Sequence, residues 1–305
     1  AAILRSSGDT KRPLFFLTAA GIVNVILNLI MVLGFGLGAI GVGIATAGSQ
    51  YVAAGLTLLY MSKTKTSLRL AGFKVYRQKL MRMITIGLPA GLQGCMFSLS
   101  NVIIQSAVNA YPTVTIAGNT AAGNLEGFVY TAMNSVYHAA LTFIGQNVGA
   151  GKYERIKKIG FQCAAMVFVI GFVLGSCLVL FGDKLLLIYA SGENLDLIVQ
   201  AGVNRLNVIA AAYFLCGLMD VGCGILRGMG KAVQPMIVSL LGSCVFRIIW
   251  VFTVCPLFPG QIMALYISYP ISWIVTGGVH FLFCVYFYRK LMKRKKQAEQ
   301  TAATA

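Results

Sequence analysis

Four long stretches of this chain carry no charged side chain at all: residues 13–62, 83–125, 159–182 and 248–288. A helix of that length has no polar face to turn toward water, whereas the hydrocarbon core of a bilayer is crossed by about 20 apolar residues. Composition agrees, because only 11% of the 305 residues are charged and 58% are hydrophobic, against about 25% charged in soluble domains. A soluble enzyme is excluded. Lipid offers backbone N–H and C=O groups no partner, so spans must be helices or closed barrels. The two-residue alternation of barrel strands is missing, which leaves an all-α, polytopic membrane protein.

Cutting the runs at Pro, Gly and charged clusters predicts eight transmembrane helices, near 13–36, 39–61, 84–111, 114–147, 157–182, 202–226, 233–255 and 261–288. The 25 Lys and Arg against 8 Asp and Glu give a net charge of +17. Their placement explains them: 22 of the basic residues fall before the first span, in alternate loops or after the last span. Only Lys184 lies in an opposite loop, while Arg205 and Arg247 belong to spans. By the positive-inside rule both ends of the chain are cytoplasmic, and the charge reads as orientation and attraction to anionic lipid, with no nucleic-acid partner. The stretch 62–82 is basic and carries Leu68, Leu70, Phe73, Val75 and Leu80, the pattern of an amphipathic segment in the membrane interface. It separates residues 1–61 from a six-helix lobe at 83–288, and a basic tail occupies 289–305. The eight cysteines form no CxxC pair and are expected to act as small core residues.

An internal repeat refines this organisation. Leu4, Arg5, Gly8 and Pro13 recur as Leu226, Arg227, Gly230 and Pro235 at a constant offset of 222, and each copy precedes two predicted spans. Arg at a cytoplasmic helix end, Gly to turn and Pro to open the next helix make physical sense of the pattern. Four spans stand between the linker and the second copy. The expectation is therefore two closing helices of one lobe followed by a complete second lobe, a parallel repeat with the substrate site between halves.

Within the predicted spans only Glu126 and Asp220 are acidic, and a charge at the bilayer centre costs about 2.5–3.5 kcal/mol or more. On the fourth span Asn119, Gly123, Glu126, Tyr130, Asn134 and Tyr137 recur every three or four residues and share one face. That stripe lines a wet cavity, where Glu126 takes up a proton or Na⁺ and the tyrosines meet a cationic cargo, or it packs between helices. Asp220 shares a face with Tyr213 and is either a second coupling carboxylate or a partner of Arg247 or Arg227. The third span offers Gln93, Asn101, Gln105 and Asn109. His138 and His280 read as core residues, and Asn24 with Asn28 as an interhelical pair. Gly145 to Lys152 fails as a phosphate loop in both its spacing and the Tyr153 that follows. It reads as a glycine-closed helix end. Gly171 and Gly175 permit close helix packing, and Pro89 and Pro270 are expected to kink their helices.

Taken together, LRSSGDTKRP, GIVNVILNL (Gly21 to Leu29), GAIGVGIATAGSQ (Gly38 to Gln50), IGLPAGLQG (Ile86 to Gly94), FIGQNVGAGKYERIKK (Phe143 to Lys158) and GILRGMGKAVQP (Gly224 to Pro235) resemble the multidrug and toxic compound extrusion (MATE) family. The resemblance implies a twelve-helix, monomeric plasma-membrane antiporter that exports organic cations or other amphipathic compounds in exchange for Na⁺ or H⁺, without a cofactor. The eight spans would be the family's fifth to twelfth. Members often carry acids on their seventh and tenth helices. Here the seventh-helix equivalent has none and Asp220 sits about one turn from the tenth-helix position, so Glu126 is the stronger coupling candidate by this reading. The alternative is a flippase for a lipid-linked saccharide. A polyanionic headgroup would need several cavity-facing cations, and the sequence suggests only Arg205 and Arg247.

Overall fold

The computed structural model describes residues 2–64, 74–190 and 194–304, and among them all regular structure is helical. The chain divides into two compact units, residues 1–77 and 78–305. In the first, α1 (Ala2–Ser6) leads into α2 (Lys11–Asn28), which continues as a π-helical turn over Leu29–Gly34 and packs on α3 (Gly38–Lys63). Asn28 donates from Nδ2 to Asn24 Oδ1 at 3.0 Å, and Asn24 donates from Nδ2 to Ser49 Oγ at 3.2 Å. The asparagine pair thus ties α2 to α3. Leu68, Leu70 and Phe73 of the expected interfacial segment lie outside the described residues.

The second unit is built around α5 (Thr113–Gly149), against which α6 (Glu154–Leu186), α7 (Leu195–Ile209) and α8 (Tyr213–Gly228) pack. The helix α4 (Arg77–Val108) precedes this group and meets α11 (Ile262–Thr304) through Ile104, Val108 and Leu265. Between α8 and α11 the chain forms α9 (Val233–Ser239), a π-helical turn at Leu240–Val245 and α10 (Phe246–Thr253). Both α4 and α11 run through their prolines, Pro89 and Pro270. The helix α11 also continues past the predicted end of its span at 288, into the basic segment. Large apolar side chains such as Phe15, Phe128, Phe161 and Phe281 face outward, as a chain solvated by hydrocarbon requires.

Six helices among the described residues are long and apolar enough to cross a membrane, and a bent pair makes a seventh. The expected eight are not all reached by that measure, because α5 does not pass it. Its asparagines, Glu126, His138 and Gln146 lower its apolarity, and the polar stripe that weakens it as a span makes it the axis of the site. The bent pair is α7 and α8, inclined by 48° across residues 210–212, where an unbroken span over 202–226 was expected. Neither Pro nor Gly marks the break. The segment at the break packs against α6, where a Cβ added to Gly175 would come within 2.4 Å of the Ala210 carbonyl oxygen and one added to Gly171 within 2.7 Å of the Phe214 Cα. These two glycines let the broken segment lie directly on α6.

The repeat is visible in backbone geometry. Gly8 and Gly230 both have positive φ, 91° and 78°, and the same two hydrogen bonds close each turn. Gly8 N–H donates to Arg5 O and Asp9 N–H to Leu4 O; Gly230 N–H donates to Arg227 O and Lys231 N–H to Leu226 O. This is the glycine-closed helix end described for Schellman turns. Gly151, with φ 70°, follows the end of α5 in the same manner.

Candidate functional site

A cavity of about 700 Å³ opens in the second unit, walled by α4, α5, α7, α8, the Phe246–Thr253 helix and α11. All six residues of the α5 stripe line it, from Asn119 through Gly123, Glu126, Tyr130 and Asn134 to Tyr137. Gln93, Asn101 and Gln105 come from α4, and Tyr213 and Asp220 from α8. Helical periodicity put the α5 residues on one face, and the placement of α4 and α8 around the cavity brings the others to the same surface. Asn109, also singled out on the third predicted span, instead accepts a hydrogen bond from Gln105 Nε2 at 3.1 Å.

The two acids of the cavity differ sharply in what holds them. Glu126, 4% exposed, receives Arg205 Nε on Oε1 at 3.0 Å and Arg205 Nη2 on Oε2 at 2.7 Å. Arg205 Nη1 donates to Asn119 Oδ1 at 2.6 Å, and the Tyr266 hydroxyl donates to the same oxygen at 3.3 Å. A planar guanidinium in this two-pronged geometry makes the strongest class of ion pair. Glu126, expected as the stronger coupling candidate, is therefore held in an ion pair with Arg205. Asp220 has no cation within 4.0 Å among the described residues, so neither Arg227 nor Arg247 pairs with it as the alternative reading anticipated.

Sequence reasoning undercounted the cations. Arg227 joins Arg205 and Arg247 at the cavity wall. It donates from Nη1 to Tyr137 Oη at 2.5 Å and from Nη2 to Gln93 Oε1 at 2.7 Å, tying α8 to α5 and α4. Tyr137 can approach because Gly224 leaves room: a Cβ there would lie 3.0 Å from the tyrosine ring. Arg247, 5% exposed, donates from Nε to Ser272 Oγ at 2.8 Å. Its guanidinium carbon stands 4.2 Å from the Tyr269 ring centroid and 5.7 Å from that of Trp273. Three guanidiniums thus face two carboxylates. The signal for Arg227 was present in the repeat, but a helix-end reading hid its reach.

The histidines part from the cavity. His280 is fully buried, with Nδ1 3.1 Å from Met219 O and Nε2 3.4 Å from Pro235 O, as expected of a core residue. The ring of His138 packs edge-on to Tyr137. Four cysteines are buried, but Cys95 and Cys177 are exposed, which corrects their assignment to the core. Cys216 and Cys223 line the cavity.

Comparison with known proteins places this arrangement. The MatE family model matches residues 89–253. A probable multidrug resistance protein of Bacillus subtilis, YoeA, is 24% identical over 303 residues, covering 96% of this chain and 64% of that protein. The probable multidrug resistance protein NorM of Thermotoga maritima is 25% identical, over 81% of this chain and 54% of that protein. A solved outward-facing multidrug resistance MATE family transporter of the MOP superfamily superposes with a TM-score of 0.87 at 18% identity, covering 95% of this chain and 65% of that one. This chain therefore spans between about half and two thirds of the length of the proteins it matches.

Proposed function

Since this chain belongs to the MatE family of multi-pass membrane transporters, we propose that it serves a cation-coupled antiporter that exports amphipathic small molecules by alternating access. The observation that carries the reading is Asp220: a carboxylate at the wall of a large cavity with no Lys or Arg nitrogen within 4.0 Å among the described residues. Such a group offers one negative charge for which a coupling Na⁺ or H⁺ and the positive end of a cargo compete. Competition for a single acid is the simplest way to make the two exclude one another, and exclusion is what antiport requires.

Glu126 has a different part in this reading. Bound to Arg205 on two prongs, it fixes α5 to α7 and holds the polar stripe in register, so it positions the cavity. The tyrosines and Trp273 give the cargo apolar and quadrupolar surface. With both chain ends on the cytoplasmic side, the basic loops lie against the inner leaflet. The relatives named above are described as probable multidrug resistance proteins, which favours this reading over the saccharide flippase.

Ethidium efflux from cells expressing the transporter that contains this chain tests the reading. An imposed Na⁺ or H⁺ gradient should drive efflux, and Asp220→Asn should reduce it at least tenfold at unchanged expression. Efflux that persists in the Asp220→Asn variant would move the coupling site elsewhere.

A further inference from the structure

Among the described residues Arg247 is the most deeply buried guanidinium of the cavity that is short of a partner. Its Nε donates to Ser272 and its guanidinium lies over the Tyr269 and Trp273 rings, yet Nη2 has no hydrogen-bond acceptor among the described residues. Arg205 is spent on Glu126 and Asn119; Arg227 binds Tyr137 and Gln93 and leaves its Nε open, but it is half-buried where Arg247 is 5% exposed. A buried cationic donor without an acceptor is costly in an apolar surrounding and is normally filled. Its rigid fork suits a carboxylate. The same cavity holds Asp220, a carboxylate without a cation, and the two are more than 4.0 Å apart among the described residues.

We propose that Arg247 is an anion subsite that, with Asp220, selects zwitterionic aromatic cargo, binding the carboxylate at Arg247 and the cationic end at Asp220. A plain organic cation meets a cavity where guanidiniums outnumber carboxylates three to two. A zwitterion satisfies both unfilled groups and leaves that balance untouched. Its ring system fits the aromatic wall of Phe97, Tyr130, Tyr213 and Trp273, and its size fits a cavity of about 700 Å³. The cationic half rests on the reading of Asp220 given above; the anionic half does not.

Two dyes that share one ring system separate the terms: rhodamine B, a zwitterion at neutral pH, and its ethyl ester, a monocation. Binding to the purified chain in detergent is read by fluorescence polarisation. The wild type should bind rhodamine B about tenfold more tightly than the ester, the scale of one charge-assisted hydrogen bond. Arg247→Gln should remove that preference by weakening rhodamine B while the ester binds as well as before or better, and Arg247→Lys, which keeps the charge, should retain part of it. Asp220→Asn should weaken both dyes and preserve their difference. Equal binding of the two dyes by the wild type overturns the subsite without any variant, and so does an Arg247→Gln protein that loses both dyes alike while remaining monodisperse. If Asp220→Asn changes neither dye but the preference persists, the reading of Asp220 fails and the anion subsite stands.

Discussion

Glu126 and Asp220 line the same cavity in different settings, and the difference lies in one neighbour. Arg205 reaches Glu126 from 79 residues along the chain, and removing either partner strands a charge in a low-dielectric interior. Glu126→Gln or Arg205→Gln should each destabilise the fold by about 3–5 kcal/mol, while the double variant should recover much of that loss. Denaturant unfolding of the four proteins in micelles reads the coupling, and strictly additive losses would contradict the ion pair. Asp220→Asn removes an acid with no ion-pair partner and should leave stability within about 1 kcal/mol of the wild type. That the α5 stripe shares one face was legible in the sequence, because the 3.6-residue period puts it on one side whatever else packs there. Which acid is neutralised was not, since pairing depends on where α7 stands beside α5, and local spacing carries no trace of that.

Among the elements, the break between α7 and α8 carries the most consequence, because it sets Arg205 and Asp220 on differently inclined segments of the same wall. Its signal sits on a different helix. The run of alanines at 210–212 has no helix breaker, whereas Gly171 and Gly175 on α6 admit the backbone of the broken segment at distances no side chain would allow. The spacing of those glycines was readable as a close contact; its partner, and the bend it permits, were not. Gly175→Ala should therefore cost about 1–3 kcal/mol through overpacking, with a matching fall in dye binding as the wall shifts. Gly127→Ala on α5, where an added Cβ meets nothing within 4 Å, should be neutral or slightly stabilising. Equal effects at the two positions would refute the packing account. The repeated turns at Gly8 and Gly230 were fully legible, because a left-handed helix end is encoded by a glycine and its near neighbours.

At the scale of the molecule, the asymmetry of basic residues assigns an orientation, and single cysteines placed in a cysteine-free background report it. An impermeant maleimide should label Lys184→Cys on intact cells and Lys152→Cys only after permeabilisation; the reverse pattern would invert the topology. The larger claim is that one unpaired carboxylate is shared by coupling ion and cargo. Ethidium binding to the purified chain, titrated against Na⁺ at fixed pH and then against pH at fixed Na⁺, tests it most directly. In the wild type, and in any Glu126→Gln protein that remains folded, affinity should fall as Na⁺ rises or as protons occupy Asp220. In Asp220→Asn it should be weak and indifferent to both ions. A wild-type affinity that ignores both ions, or an Asp220→Asn protein in which ion and dye still displace one another, would contradict the account.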